Sequence, residues 1–170
     1  MVIPTAGADG VWGESTVVLD GDRGRVVNVA RWGAKAKALV AVSKDYGRTW
    51  TPARPSNLPM TTSKPYAGTL PGGRHYLIGT TTADGGKRRH PVTIALTEPE
   101  QATFSKVVAI RRAVFPQGPG ESHPNVALAY PYAVQHDGHL YVGYSNSGGR
   151  GGNHNSAELA VIPLSRLAPK

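Results

Sequence analysis

Ser43-Lys44-Asp45-Tyr46-Gly47-Arg48-Thr49-Trp50 decides how this chain is read, because its spacing describes one particular kind of turn. The run Ala38-Leu39-Val40-Ala41-Val42 leads into it with the apolar, partly β-branched character of a packed strand. Within the turn, the Asp45 carboxylate can accept bonds from backbone amides. Gly47 can adopt a positive φ, and the Trp50 ring can cover the loop. Ser43, Asp45, Gly47, Thr49 and Trp50 are therefore read as structural positions of a hairpin. A worn copy follows at Thr97-Glu98-Pro99-Glu100-Gln101-Ala102-Thr103-Phe104. There Thr97 stands for the Ser, Thr103 is kept and Phe104 stands for the Trp. The offset of 97 − 43 = 54 residues sets a repeat period.

Strand-like runs recur at that period. Residues 15–19, a Gly-rich turn, residues 25–31 and residues 38–43 precede the hairpin, and a fourth strand is expected from Thr49. The same order returns at residues 66–70, 74–79, 92–96 and 105–110, and begins again at 132–134, 139–144 and 158–162. The third repeat shows no obvious fourth strand. Repeats of a four-strand meander indicate an all-β propeller. The chain is read as one domain of about three blades, with approximate bounds 1–58, 59–115 and 116–170. A ring normally needs at least four blades. The expectation is therefore part of a larger propeller, its C-terminal half, completed by missing N-terminal blades or by self-association through open blade faces. Pro52 to Pro59 and Pro116 to Pro124 are read as connectors between blades.

Composition removes several classes. With no Cys among 170 residues, disulfides, thiolate metal sites and a Cys nucleophile are excluded. No apolar run reaches the roughly 20 residues of a helical membrane span, so no membrane partner is expected. The first residues, Met-Val-Ile-Pro-Thr-Ala-Gly, have neither a basic n-region nor an apolar h-region. The net charge of +8 is spread along the chain apart from Lys87-Arg88-Arg89-His90, and aromatics are few. That pattern reads as a solvated basic surface or a basic sugar site rather than a nucleic-acid module. The six His residues, His75, His90, His123, His136, His139 and His154, form no helical ligand pair. No metal or cofactor is expected. His136 and His139 flank a hairpin turn and are expected to be exposed. Gly148 to Asn153 is Gly-rich but opens no helix, so it reads as a long loop able to rim a site.

The Ser-x-Asp-x-Gly-x-Thr-Trp turn is the Asp-box, and with the segments below it makes the chain resemble the sialidase (neuraminidase) superfamily, in particular bacterial BNR-repeat sialidase-like proteins. The resemblance covers nearly the whole chain and implies the last three of six blades. It implies an exo-α-sialidase-type glycoside hydrolase that removes terminal sialic acid with retention. Such a site holds three arginines on the sugar carboxylate, a Tyr nucleophile assisted by a Glu, and an Asp acid/base. A neutral nucleophile avoids repulsion from the carboxylate on the anomeric carbon.

Residue by residue, Trp12-Gly13-Glu14-Ser15-Thr16 resembles the segment whose Glu precedes an inner strand, so Glu14 would activate the nucleophile. Arg31 matches the second carboxylate-binding Arg. Arg89-His90-Pro91-Val92-Thr93-Ile94 resembles the segment of the third, with Arg88 as a rival. Tyr130-Pro131-Tyr132-Ala133-Val134 before Asp137-Gly138 resembles the nucleophile segment, giving Tyr130 that role with Tyr132 as a rival. The first Arg and the acid/base Asp belong to blades this resemblance places ahead of the chain. Pro91 departs from the family's Asn, and the Tyr130 segment is one residue shorter before its turn. Lys64-Pro65-Tyr66 and Gly118 to His123 fit sialidase-like proteins without an established substrate better than authenticated sialidases. The implied partner is a glycan with an acidic terminal sugar, and the implied parent is secreted or periplasmic. The rival reading is a non-catalytic carbohydrate-binding or scaffold propeller.

Overall fold

Alternating apolar runs separated by Gly and Pro turns settle into antiparallel sheets in the computed structural model. It describes residues 2–5, 10–20, 24–32, 35–81, 88–101, 103–114, 126–147 and 155–169. The first sheet has the order β1 (Val11–Asp20), β2 (Arg25–Trp32), β3 (Lys37–Ser43) and β4 (Arg54–Pro59). The second runs β5 (Tyr66–Thr69), β6 (His75–Gly79), β7 (Val92–Thr97) and β8 (Phe104–Arg111). The third contains β9 (Ala127–His136), β10 (His139–Ser147) and β11 (Asn155–Pro163), and a single 3-10 turn, Leu164–Arg166, follows it. Each sheet is a simple meander, the form of a propeller blade.

The fourth strand of the first sheet differs from its sequence-based expectation. Thr49 and Trp50 stay in the turn, and the strand begins at Arg54, inside the stretch read as a connector. Pro55 and Pro59 donate no ladder bond, and β4 lies on the edge of its sheet, where that loss is tolerated. The connector 116–124, His123, His154, Lys87 and the Gly148 to Asn153 loop lie outside the described residues.

The first strands adjoin one another in one direction. Ala67 N donates to Thr16 Oγ1 at 3.0 Å, Tyr66 OH donates to the Ala133 carbonyl at 2.9 Å, and Gln135 Nε2 donates to the Thr69 carbonyl at 2.7 Å. β1, β5 and β9 therefore run side by side as the inner strands. Their starts, and the ends of β2, β6 and β10, share one rim.

Two cores lie between the sheets. Val18, Val29, Leu77 and Ala95 pack between the first and second. Ile78, Ile94, Leu96, Leu128, Leu140 and Val142 pack between the second and third. Gly68 is required by this packing, because a Cβ there would sit 2.5 Å from the Tyr76 hydroxyl. The outer face of the third sheet is uncovered, with Tyr132, Val134, Leu159 and Val161 all at least half exposed. The register sets Val134, Tyr141 and Val161 in one row and Tyr132, Gly143 and Leu159 in the next.

Candidate active site

Glu14 lies within β1 rather than before it, in a bulge where the pairing slips between Val11–Trp32 and Ser15–Ala30. That irregularity sets its carboxylate against Arg31 near the end of β2. Arg31 Nη1 donates to Glu14 Oε2 at 2.7 Å, and Arg31 Nε donates to Thr62 Oγ1 at 3.0 Å. The Arg31 residue is only 8% exposed. A guanidinium gripped on two sides in a shielded place is held in one orientation. Thr62 was not singled out from the sequence. The only signal was the hydroxyl run Thr61-Thr62-Ser63 leading into an inner strand.

Arg89 is half-buried before β7. Its backbone forms an isolated parallel bridge to Ala127, and its carbonyl accepts from Leu128 N at 2.7 Å. This ties it to the start of β9. Arg88 beside it is exposed.

Tyr130 sits in β9 with φ 55°, a left-handed conformation that is unusual for an aromatic residue. The β9–β10 pairing slips at this point, between Tyr132–Gly143 and Ala129–Ser145. Bulges of this kind re-aim a side chain, and strained backbone concentrates at functional positions. Tyr130 is 52% exposed and its hydroxyl has no hydrogen-bond partner among the described residues. Tyr132, its rival, stacks obliquely on Tyr66 with ring centroids 5.0 Å apart.

All four residues thus lie at one rim: Glu14 on an inner strand, Arg31 on a second strand, Arg89 beside the start of β9, and Tyr130 on an inner strand. Of the pairs, the structure brings Glu14 and Arg31 into direct contact.

The Ser43–Trp50 turn, read from the sequence as an Asp-box, occupies the other end. Ser43 pairs with Val26 at the start of β2, five residues before Arg31, which is about 16 Å along the strand. Ser43 Oγ accepts from Gly47 N at 2.8 Å and donates to Asp45 Oδ1 at 2.7 Å. Asp45 also accepts from Thr49 N at 2.8 Å and Thr49 Oγ1 at 2.6 Å. The Thr49 hydroxyl and amide, with Ser43, hold the Asp45 carboxyl down to about 2. Trp50 Nε1 donates to the Gly47 carbonyl at 3.0 Å, and its ring lies over Gly47. Tyr46 (φ 56°) and Gly47 (φ 83°) make the left-handed corner. In the worn copy Glu100 has φ 61°, and 100 − 46 = 54, so the corner survives where Pro99 has replaced the Asp.

Two further polar clusters were not anticipated. Glu158 accepts from Arg111 Nε at 2.9 Å, Tyr144 OH at 3.0 Å and Asn146 Nδ2 at 2.8 Å. Burial raises the Glu158 carboxyl, but these bonds and the Arg111 charge hold it below its ordinary value. His75 Nε2 lies 3.1 Å from Asp20 Oδ1, and its Nδ1 lies 3.0 Å from Thr69 Oγ1. This links the first sheet to the second. His136 is exposed, whereas His139 is only partly so, its Nδ1 lying 2.6 Å from the Asp137 carbonyl. No cluster of three or more metal-ligating side chains occurs among the described residues. No helix among them is long and apolar enough to cross a membrane.

Residues 14–142 match the model of the BNR repeat-like domain, well over half of the chain. The chain belongs to the BNR repeat-like domain family. No curated protein sequence matches it at a significant level. The BNR repeat-like chain shares its fold with a NanB sialidase variant from Streptococcus pneumoniae (TM-score 0.64, 15% identity, 97% of this chain and 25% of that one). It is similar to the Trypanosoma rangeli sialidase in complex with sialic acid (TM-score 0.57, 18% identity, 93% and 24%). It is also similar to the α-L-arabinofuranosidase of Fusarium graminearum in complex with arabinobiose (TM-score 0.60, 14% identity, 94% and 48%). The chain thus spans between a quarter and a half of the length of these proteins. At such identities the likeness carries the fold, and the family is given by the match to the BNR repeat-like domain.

Proposed function

We propose that this chain supplies part of a sialidase-like glycoside hydrolase site for a terminal acidic sugar, sialic acid or a close relative, cleaved with retention. Arg31 and Arg89 bind the sugar carboxylate, Tyr130 attacks the anomeric carbon, and Glu14 takes the Tyr130 proton. The observation that carries this reading is the Glu14–Arg31 contact at 2.7 Å on a nearly buried guanidinium. Glu14 stands where the sugar carboxylate would go. An incoming carboxylate replaces it on Arg31 and frees Glu14 to act as a base. The bulged, exposed Tyr130 on the same rim supports the nucleophile assignment.

In this reading the 170 residues form three blades, roughly 1–58, 59–115 and 116–170, and the acid/base and a further Arg come from additional blades. The exposed face of the third sheet receives a neighbouring blade, and the isolated chain turns over slowly or not at all. The second reading is a non-catalytic carbohydrate-binding propeller. It is favoured by the Tyr130 hydroxyl, which has no hydrogen-bond partner, Glu14 included, among the described residues.

Calorimetry with N-acetylneuraminic acid and its carboxyl-reduced analogue tests the acidic-sugar claim. Binding of the acid is expected to be at least tenfold tighter and to weaken in Arg31→Lys. Equal binding of the two overturns it. A glycan array and a fluorogenic sialoside, applied to this chain with its neighbouring blades, separate the readings, because binding without release supports the second.

A further inference from the structure

A second cavity among the described residues has no part in that site. It is a cleft of about 340 Å³ between the first and second sheets. It opens toward the Asp-box end, the opposite end from Arg31 and Tyr130, as its lining by Asp20, Arg25, Val42, Thr51 and His75 requires. Its existence has a local cause. The first sheet presents Val18, Val27, Val29, Val40 and Val42 to it, and the second answers chiefly with Ala67, Tyr76 and Phe104. Short β-branched side chains do not fill a wedge that widens outward. The next interface is closed instead by Ile78, Ile94, Leu96, Leu128 and Leu140, all 1% exposed or less. An unfilled apolar wall forfeits contacts that an occupant can restore.

The mouth is polar and asymmetric. On one side Asp20 is paired with both Arg25 and His75, so those charges are compensated. On the other side, Arg54 lies on the edge strand directly opposite Val40, and Val40 is in turn opposite Val29. Arg54 is exposed, lines the cleft and has no ion-pair partner among the described residues. Asn57 Nδ2 reaches the Phe104 carbonyl across the mouth at 3.5 Å, the limit of a hydrogen bond and easily parted. The row Arg54–Val40–Val29 spans two strand spacings, about 10 Å, from an exposed cation to an apolar floor.

We propose that this cleft is a second binding site, for a small amphipathic anion: an aliphatic chain of medium length ending in a carboxylate. The chain lies along Val40 and Val29, and the head meets Arg54. The volume suits on the order of ten non-hydrogen atoms, at the ~30 Å³ a water molecule occupies in the liquid. A carboxylate is the natural partner of a guanidinium. A neutral head leaves Arg54 unmatched, and an anion with no chain leaves the valines bare.

The test uses octanoate, acetate and octyl glucoside below its micelle concentration, each titrated into the 170-residue chain by NMR. Octanoate is expected to shift the methyl signals of Val29 and Val40 and to bind at least about tenfold more tightly than either control. Arg54→Gln, a change at an exposed residue, weakens octanoate about tenfold. Val40→Phe fills the cleft and abolishes binding, with the Tm unchanged or raised. Should Val40→Phe not fold, intermolecular Overhauser contacts between octanoate and Val29 in the unmodified chain decide the matter. Octanoate binding that survives Val40→Phe, acetate binding of equal strength, or the absence of contacts to Val29 overturns the proposal. Equal binding of octyl glucoside overturns the role of Arg54.

Discussion

Glu14 and Arg31 meet at 2.7 Å across a bulge between the first two strands, with the Arg31 residue nearly buried. Removing one partner leaves the other without its counter-charge in a poorly hydrated place. Glu14→Gln is expected to cost about 1–3 kcal/mol in urea unfolding. The double change with Arg31→Gln is expected to cost less than the sum of the two single changes. If the pair is ornamental, the single changes add.

Asp45 makes the fold acid-sensitive through the Asp-box. Its folded carboxyl titrates near 2, below the ordinary value of 3.8. The stabilisation is therefore fully present above about pH 4 and is lost as the pH falls toward 2. The stability difference between the native chain and Asp45→Ala is expected to be flat from pH 7 to about pH 5 and to shrink below pH 4. A difference that persists unchanged at pH 2.5 refutes the assignment.

Arg74 is a buried clamp, 2% exposed, and donates to the carbonyls of Thr97, at 2.6 Å, and Leu167 and to Glu98 at 3.0 Å. It ties the segment after the third sheet back onto the second. Arg74→Met strips several acceptors at once and is expected to cost about 2–4 kcal/mol. Arg74→Lys should not rescue it, because an ammonium cannot serve acceptors in three directions with a planar fork. Thermal unfolding of both variants checks this.

Tyr76 and Tyr144 report the alkaline limit. Burial first, then neighbouring tyrosines for Tyr76 and the Glu158 bond for Tyr144, push both phenols up to about 12. A raised phenol pKa favours the fold below about pH 10 and ceases to do so as the pH passes 12. Ultraviolet titration should show two of the seven tyrosines ionising only near pH 12, together with loss of structure. Ordinary ionisation of all seven with the fold intact contradicts the packing described here.

Most of the architecture was legible from the β-branched and apolar runs between turns: those around Val27 and Val142 alternate openly, and the run around Leu77, buried at every position, is legible from its apolar content. The Asp-box period also held to the level of a single dihedral, from Tyr46 to Glu100. β4 was misread because Pro55 and Pro59 argue against a strand unless one knows that it lies on an edge. The bulges at Glu14 and Tyr130 were not legible, since they depend on a register slip against the partner strand. Thr62 was missed for a related reason. Its bond to Arg31 crosses from one blade to the approach of the next, a contact no local pattern encodes.

The central claim is that Tyr130 is a nucleophile toward an acidic sugar, and a glycosyl fluoride tests it most directly. Fluoride departs without a general acid, so even a chain lacking that group can form the covalent intermediate. A sialyl fluoride whose second step is slowed by a further fluorine should label the chain, with mass spectrometry placing the adduct on Tyr130. The adduct should disappear in Tyr130→Phe and diminish in Arg31→Lys. A label on Tyr132 or elsewhere, or none with the sugar bound, contradicts the account.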